Sequence, residues 1–167
     1  MREEYGQPRE TDEIKAKLRS YGRLQRRLDN QIARLDNLMD SVDAVNSTNY
    51  SGMPSGSHDG TSRQERYVEQ TDELQRKIDD MIEEERALRK ELEDLIAQLN
   101  NPDEQGVLEM KYIDGLRWKG VCLSLFGMNE DYEENAERYM KRTFRIHGAA
   151  LQRLSRIYRG DPAPPLP

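Results

Sequence analysis

From Arg138 to Arg159 the chain reads RYMKRTFRIHGAALQRLSRIYR, with seven basic residues and no Asp or Glu. The whole chain carries a net charge of −6, so everything outside this stretch sums to −13. Wound at about 3.6 residues per turn, Arg138, Lys141, Arg142, Arg145, Arg153, Arg156 and Arg159 gather on one face of a helix. Met140, Phe144, His147, Leu151, Leu154 and Tyr158 gather on the other, at alternating spacings of four and three. A helix with an apolar back and a basic front packs on its own domain and offers positive charge to a polyanion. A charged face is more often only a solvated one, yet one sign of charge over so long a stretch points to nucleic acid.

Upstream, residues 101–126 read as two short helices. Asn101-Pro102-Asp103-Glu104 is a helix start: a capping side chain, a proline suited to the first helical position, and acids at the positive end of the dipole. This helix is expected to run to Ile113, followed by an Asp114-Gly115 turn and a second helix from Leu116 to Phe126 with Gly127 at its C′ position. Asn129 is placed to cap a long basic helix reaching Tyr158, and Gly160-Asp161-Pro162 ends it. Val107, Leu108, Met110, Tyr112 and Ile113 supply one apolar face; Trp118, Val121, Cys122 and Leu125 supply the next. The outline is a helix-turn-helix, in which two helices present a third to a groove while Lys and Arg reach phosphates. The connector 128–137 carries Glu130, Asp131, Glu133, Glu134 and Glu137. These acids oppose phosphate; they suit the N-terminus of the long helix or a basic protein partner.

Further upstream, residues 12–45 keep a heptad rhythm through Ile14, Leu18, Tyr21, Gln25, Leu28, Ile32, Leu35, Met39 and Val42, widened by Leu24 and Leu38. Residues 65–100 do the same through Leu74, Ile78, Met81, Leu88, Leu92, Leu95 and Leu99, with Glu85 interrupting the seam. Residues 46–63, rich in Ser, Gly, Asn and Thr, read as a flexible loop. The fold class is therefore all-α: a long antiparallel coiled-coil-like helical hairpin (12–100) after a short tail (1–11), then a small three-helix helix-turn-helix unit (101–159) and a Pro-rich tail (160–167). A two-helix seam is marginal alone in water. Ile14, Leu18, Leu28, Leu35, Leu74, Ile78, Leu88 and Leu92 are its candidate contacts to a second copy or a partner.

The stretch Val107-Leu108-Glu109-Met110-Lys111-Tyr112-Ile113-Asp114-Gly115-Leu116-Arg117-Trp118 resembles the start of sigma factor region four. Leu125-Phe126-Gly127 is similar to the Leu-Gly step closing the second helix there, and Arg145 to Leu154 to the end of the third. With Ser51-Gly52-Met53-Pro54 before it, the chain over about residues 12–158 resembles the phage-encoded ArpU-like, sigma-region-four-like regulators. It departs from their pattern in carrying Gly120-Val121-Cys122 in the second helix and a long connector to the third. The resemblance implies control of phage genes through promoter DNA or host RNA polymerase, in the cytoplasm of a bacterial host. Arg138, Lys141, Arg142, Arg145, Arg153 and Arg156 are the candidate DNA contacts. The alternative is a non-enzymatic helical adaptor or inhibitor, small-terminase-like or binding a host defence complex.

Other classes find little footing. Cys122 stands alone, so no internal disulfide and no Cys-rich zinc site forms. His147 falls on an apolar stripe with no metal-ligating partner at i, i+4, and His58 sits in the loop. There is no nucleophile paired with a base and no Gly-rich phosphate loop after a strand. An enzyme, a cofactor and a metal are not expected, nor a membrane span, since no apolar run reaches about 18 residues. With no signal peptide, the chain is expected to be soluble and intracellular.

Overall fold

The protein's structure, a computed structural model, describes residues 10–48 and 63–161. Every regular element among them is helical: α1 (Asp12–Thr48), α2 (Arg63–Ile96), α3 (Pro102–Leu108), a π-helical turn (Glu109–Ile113), α4 (Trp118–Phe126) and α5 (Ala136–Arg159). The protein is all-α, a helical hairpin followed by a helix-turn-helix. The expected loop 46–63 shrinks at both ends, because α1 continues through Thr48 and α2 begins at Arg63; its remainder, with Ser51-Gly52-Met53-Pro54 and His58, lies outside the described residues.

The chain divides into two compact units, residues 24–86 and residues 1–23 with 87–167. In the first, Leu35 packs on Leu74 and Ile78, flanked by Leu28 and Ile82, so α1 and α2 run antiparallel. The seam of α1 departs from a strict heptad. Ile32 and Met39, on the expected stripe, are exposed, and Leu38, beside Met39, is half-buried. A straight α-helix drifts about 20° per heptad against a 3.5-residue repeat, which turns Ile32 and Met39 toward solvent while Leu35 stays buried.

In the second unit the base of the hairpin joins the helix-turn-helix in one core. Ile14, Leu18 and Tyr21 of α1 and Leu92, Ile96 and Leu99 of α2 and its exit pack with Leu108, Ile113, Ala150, Leu151 and Leu154. The boundary expected at residue 100 therefore does not separate two cores. A trihelical unit of some 55 residues has a thin core on its own, and the hairpin base adds six of the eleven core residues. Of the eight candidate seam residues, Ile14, Leu18, Leu35, Leu74, Ile78 and Leu92 are buried within the chain, and Leu28 and Leu88 are half-buried against its two cores. The faces open to a second copy are others, such as exposed Ile32, Met39 and Val68.

Local signals explain α3 well. The Asn101 side chain accepts from the Asp103 amide at 2.9 Å, Pro102 opens the helix, and Asp103 and Glu104 occupy the first turn. Asn101→Ala is expected to lower stability by about 1 kcal/mol, read as a lower urea midpoint at unchanged m. The helix then widens: Asp114 N bonds Glu109 O and Leu116 N bonds Met110 O, both at 2.9 Å. Gly115, at φ 69°, turns the chain out of that π turn, where an L-residue is strained. The second helix begins at Trp118 rather than Leu116, after this longer turn. Gly127 is not the left-handed C′ residue expected, having φ −62°. A Cβ there would lie 2.5 Å from Leu123 O, so crowding, not handedness, requires glycine.

Candidate nucleic-acid interface

The basic helix starts later than its sequence suggests. Residues 129–135 form turns and α5 begins at Ala136, so Asn129 does not cap it. The acidic connector explains part of this. Asp131 accepts from the Tyr139 hydroxyl at 2.6 Å and from Asn135 Nδ2 at 3.2 Å, pinning the turn to the first turn of α5. That bond to Asp131 also raises the Tyr139 pKa. Glu137 pairs with Lys141 at 2.8 Å, and this bond lowers the pKa of its carboxyl. Glu130, Glu133 and Glu134 remain exposed.

Helices α3 and α4 both pack on α5. Thr143, Ala150, Leu151, Leu154 and Ser155 are its buried residues. Met140, His147 and Tyr158 of the expected apolar face are half-buried, while Phe144 is 46% exposed, against expectation. α4 passes alongside, with Phe126 on Tyr139 and Trp118 on His147, but the Trp118 ring meets Phe144 only edge-on, at 5.0 Å, and leaves much of it open.

The six candidate DNA contacts divide into two groups. In the first half of α5, Arg138, Lys141, Arg142 and Arg145 are exposed on one face and line a cleft of about 630 Å³ with Glu134, Glu137 and Tyr139. Arg142 lies over the Phe126 ring at 4.9 Å, an arrangement that steadies its stem and leaves the guanidinium edge open. In the second half, Arg153 bonds the carboxylate of Glu104 at 2.7 Å, and that carboxylate is 4% exposed. Arg156 stands 3.7 Å from the Glu10 carboxylate, and Ser155 and Arg159 both donate to the Glu10 carbonyl. This end of the basic face clamps Glu10, just ahead of α1. Sequence reasoning missed Glu104, because an acid in a helix's first turn carries the signature of a dipole partner and nothing of the Arg lying 49 positions away.

Around α5 from that face, His147 stacks on Tyr112, its Nε2 in hydrogen-bond contact with the Tyr112 hydroxyl at 3.0 Å, and meets Trp118 edge-on at 4.7 Å. Burial first, then the charges of Lys15, Lys111 and Arg19, push its pKa down to about 4. His147 is thus a neutral packed histidine, as its place on the stripe suggested. Among the described residues no group of three His, Cys, Asp or Glu side chains is placed to hold a metal, and no helix is long and apolar enough to cross a membrane. Cys122 is fully buried.

Residues 62–142 match a protein family described as a protein of unknown function (DUF1492). The match takes in α2 through the start of α5 and attaches no activity to them. No curated protein and no solved structure matches the chain.

Proposed function

We propose that this chain is a non-enzymatic regulator of transcription that grips duplex DNA with the first half of α5, as its resemblance to the phage ArpU-like, sigma-region-four-like proteins implies. One observation carries the reading. Arg138, Arg142 and Arg145 are exposed at one-turn spacings on a helix held rigidly by α3 and α4, with no carboxylate of the chain paired to them among the described residues. Phosphate contacts from such a face position a protein on DNA; the cleft beside Tyr139 offers the polar groups that read base edges. Arg153 and Arg156 serve chiefly to hold the fold. Host RNA polymerase is the protein partner that fits this role.

The test is binding to promoter-bearing phage DNA at matched salt. Arg142→Ala/Arg145→Ala is expected to lose about two from the log–log salt slope and to weaken binding at least tenfold. Equal affinity of the double variant and the parent would reject the DNA reading. The helical adaptor reading, with a protein partner met through the acidic connector, would then take its place.

A further inference from the structure

Four aromatic rings and Lys111, drawn from the π turn, α4 and α5, meet on one side of the second unit, next to the α1 turn that carries Lys15 and Arg19. Lys111 Nζ stands over the Trp118 ring at 4.9 Å while donating to the Leu116 carbonyl at 3.1 Å. Trp118 contacts Phe144 and His147 edge-on, and His147 stacks on Tyr112. Ile14 and Leu18 of α1 pack in one core with Ile113 and Leu151, which sets the residues that follow them, Lys15 and Arg19, on the turn of α1 next to Tyr112 and His147; the charges of both act on His147, and that of Arg19 on Tyr112. Among the described residues neither Lys15 nor Arg19 meets a carboxylate at salt-bridge distance.

We propose that this surface binds single-stranded nucleic acid, its phosphates held by Lys15, Arg19 and Lys111 and a base laid against Phe144 beside Trp118. Three like charges around one imidazole repel one another, and a polyanion relieves that repulsion. An exposed Phe ring met only edge-on by its neighbour offers a π-surface to a flat partner. Stacking of that kind needs an unpaired base, because in a duplex the faces are already stacked. An acidic peptide would satisfy the cations and leave the ring unused. The site uses none of Arg138, Arg142 or Arg145, so it stands whether or not the duplex reading holds.

Trp118 is the chain's one tryptophan and His147 one of its two histidines, so both report on this surface. The full chain is titrated with a short oligothymidylate, the matching duplex and polyglutamate at the same salt. Oligothymidylate is expected to quench Trp118 fluorescence and to raise the His147 pKa, read by NMR, with His58 as the unmoved reference. Phe144→Leu and Lys15→Ala/Arg19→Ala are each expected to weaken the strand about tenfold. Arg19→Gln, at an exposed position, is the milder variant should the double one misfold, with an expected loss of about threefold. Arg142→Ala/Arg145→Ala should leave the quenching intact. The proposal is overturned by absence of quenching, by an equal response to polyglutamate or to duplex, or by quenching that the Lys15, Arg19 and Phe144 variants leave unchanged.

Discussion

A fragment comprising only residues 101–159 is expected to be unfolded in isolation, although it contains all of α3, α4 and α5. The core it would have to keep is shared. Six of its eleven buried members, Ile14, Leu18, Tyr21, Leu92, Ile96 and Leu99, belong to the hairpin. Burying a Leu or Ile side chain contributes about 2 kcal/mol, so losing these five and Tyr21 removes on the order of 10 kcal/mol. That is comparable with the entire stability of an ordinary domain, about 5–15 kcal/mol. The fragment would also lose the Glu10 carbonyl that Ser155 and Arg159 bond at 2.6 and 2.7 Å. Far-UV circular dichroism of the fragment should show little helix and no cooperative melt. A fragment that melts cooperatively near the temperature of the full chain would show that the helix-turn-helix has a sufficient core of its own.

The second large effect is expected at Arg153. Its side chain is 59% exposed, but the Glu104 side chain it bonds is almost fully buried, and Glu104 Oε2 has no hydrogen-bond partner. Arg153→Ala would strand a desolvated charge with no counterion. Discounted for the exposure of the arginine, the loss is about 2 kcal/mol. Arg145→Ala, which breaks no contact with a carboxylate, should stay within about 0.5 kcal/mol. Replacing both partners, Arg153→Met with Glu104→Leu, should recover most of the loss, because no buried charge remains to be compensated. Urea denaturation of the four proteins makes the comparison. An Arg153→Ala variant as stable as Arg145→Ala would mean that water reaches Glu104 and the pair is an ordinary surface one.

These two residues mark where linear reading reaches its limit. Arg145 and Arg153 are indistinguishable along the sequence, both on the basic face of one amphipathic helix. Only the position of Glu104, on a helix brought beside α5 by packing, separates a side chain open to solvent from one that completes a buried ion pair. Phe144 gives the converse case. Its four-and-three spacing with Met140, His147 and Leu151 placed it inside, yet α4 meets it only with the edge of Trp118. Periodicity states which way a side chain points from its own helix, not whether another element arrives to meet it.

What the residues determined alone is local. The helical class followed from spacings repeated over α1, α2 and α5, and the start of α3 from Asn101 and Pro102, because capping and proline geometry act within a few residues. The turn at Gly115 followed from the same short range. What only the tertiary structure decided is how charge and burial are shared between distant segments: the single core joining the hairpin base to α5 and the pairing of Arg153 with Glu104. Both depend on which surfaces touch after the apolar stripes have been buried, and hydrophobic burial is non-directional, so the stripes alone do not name their partners.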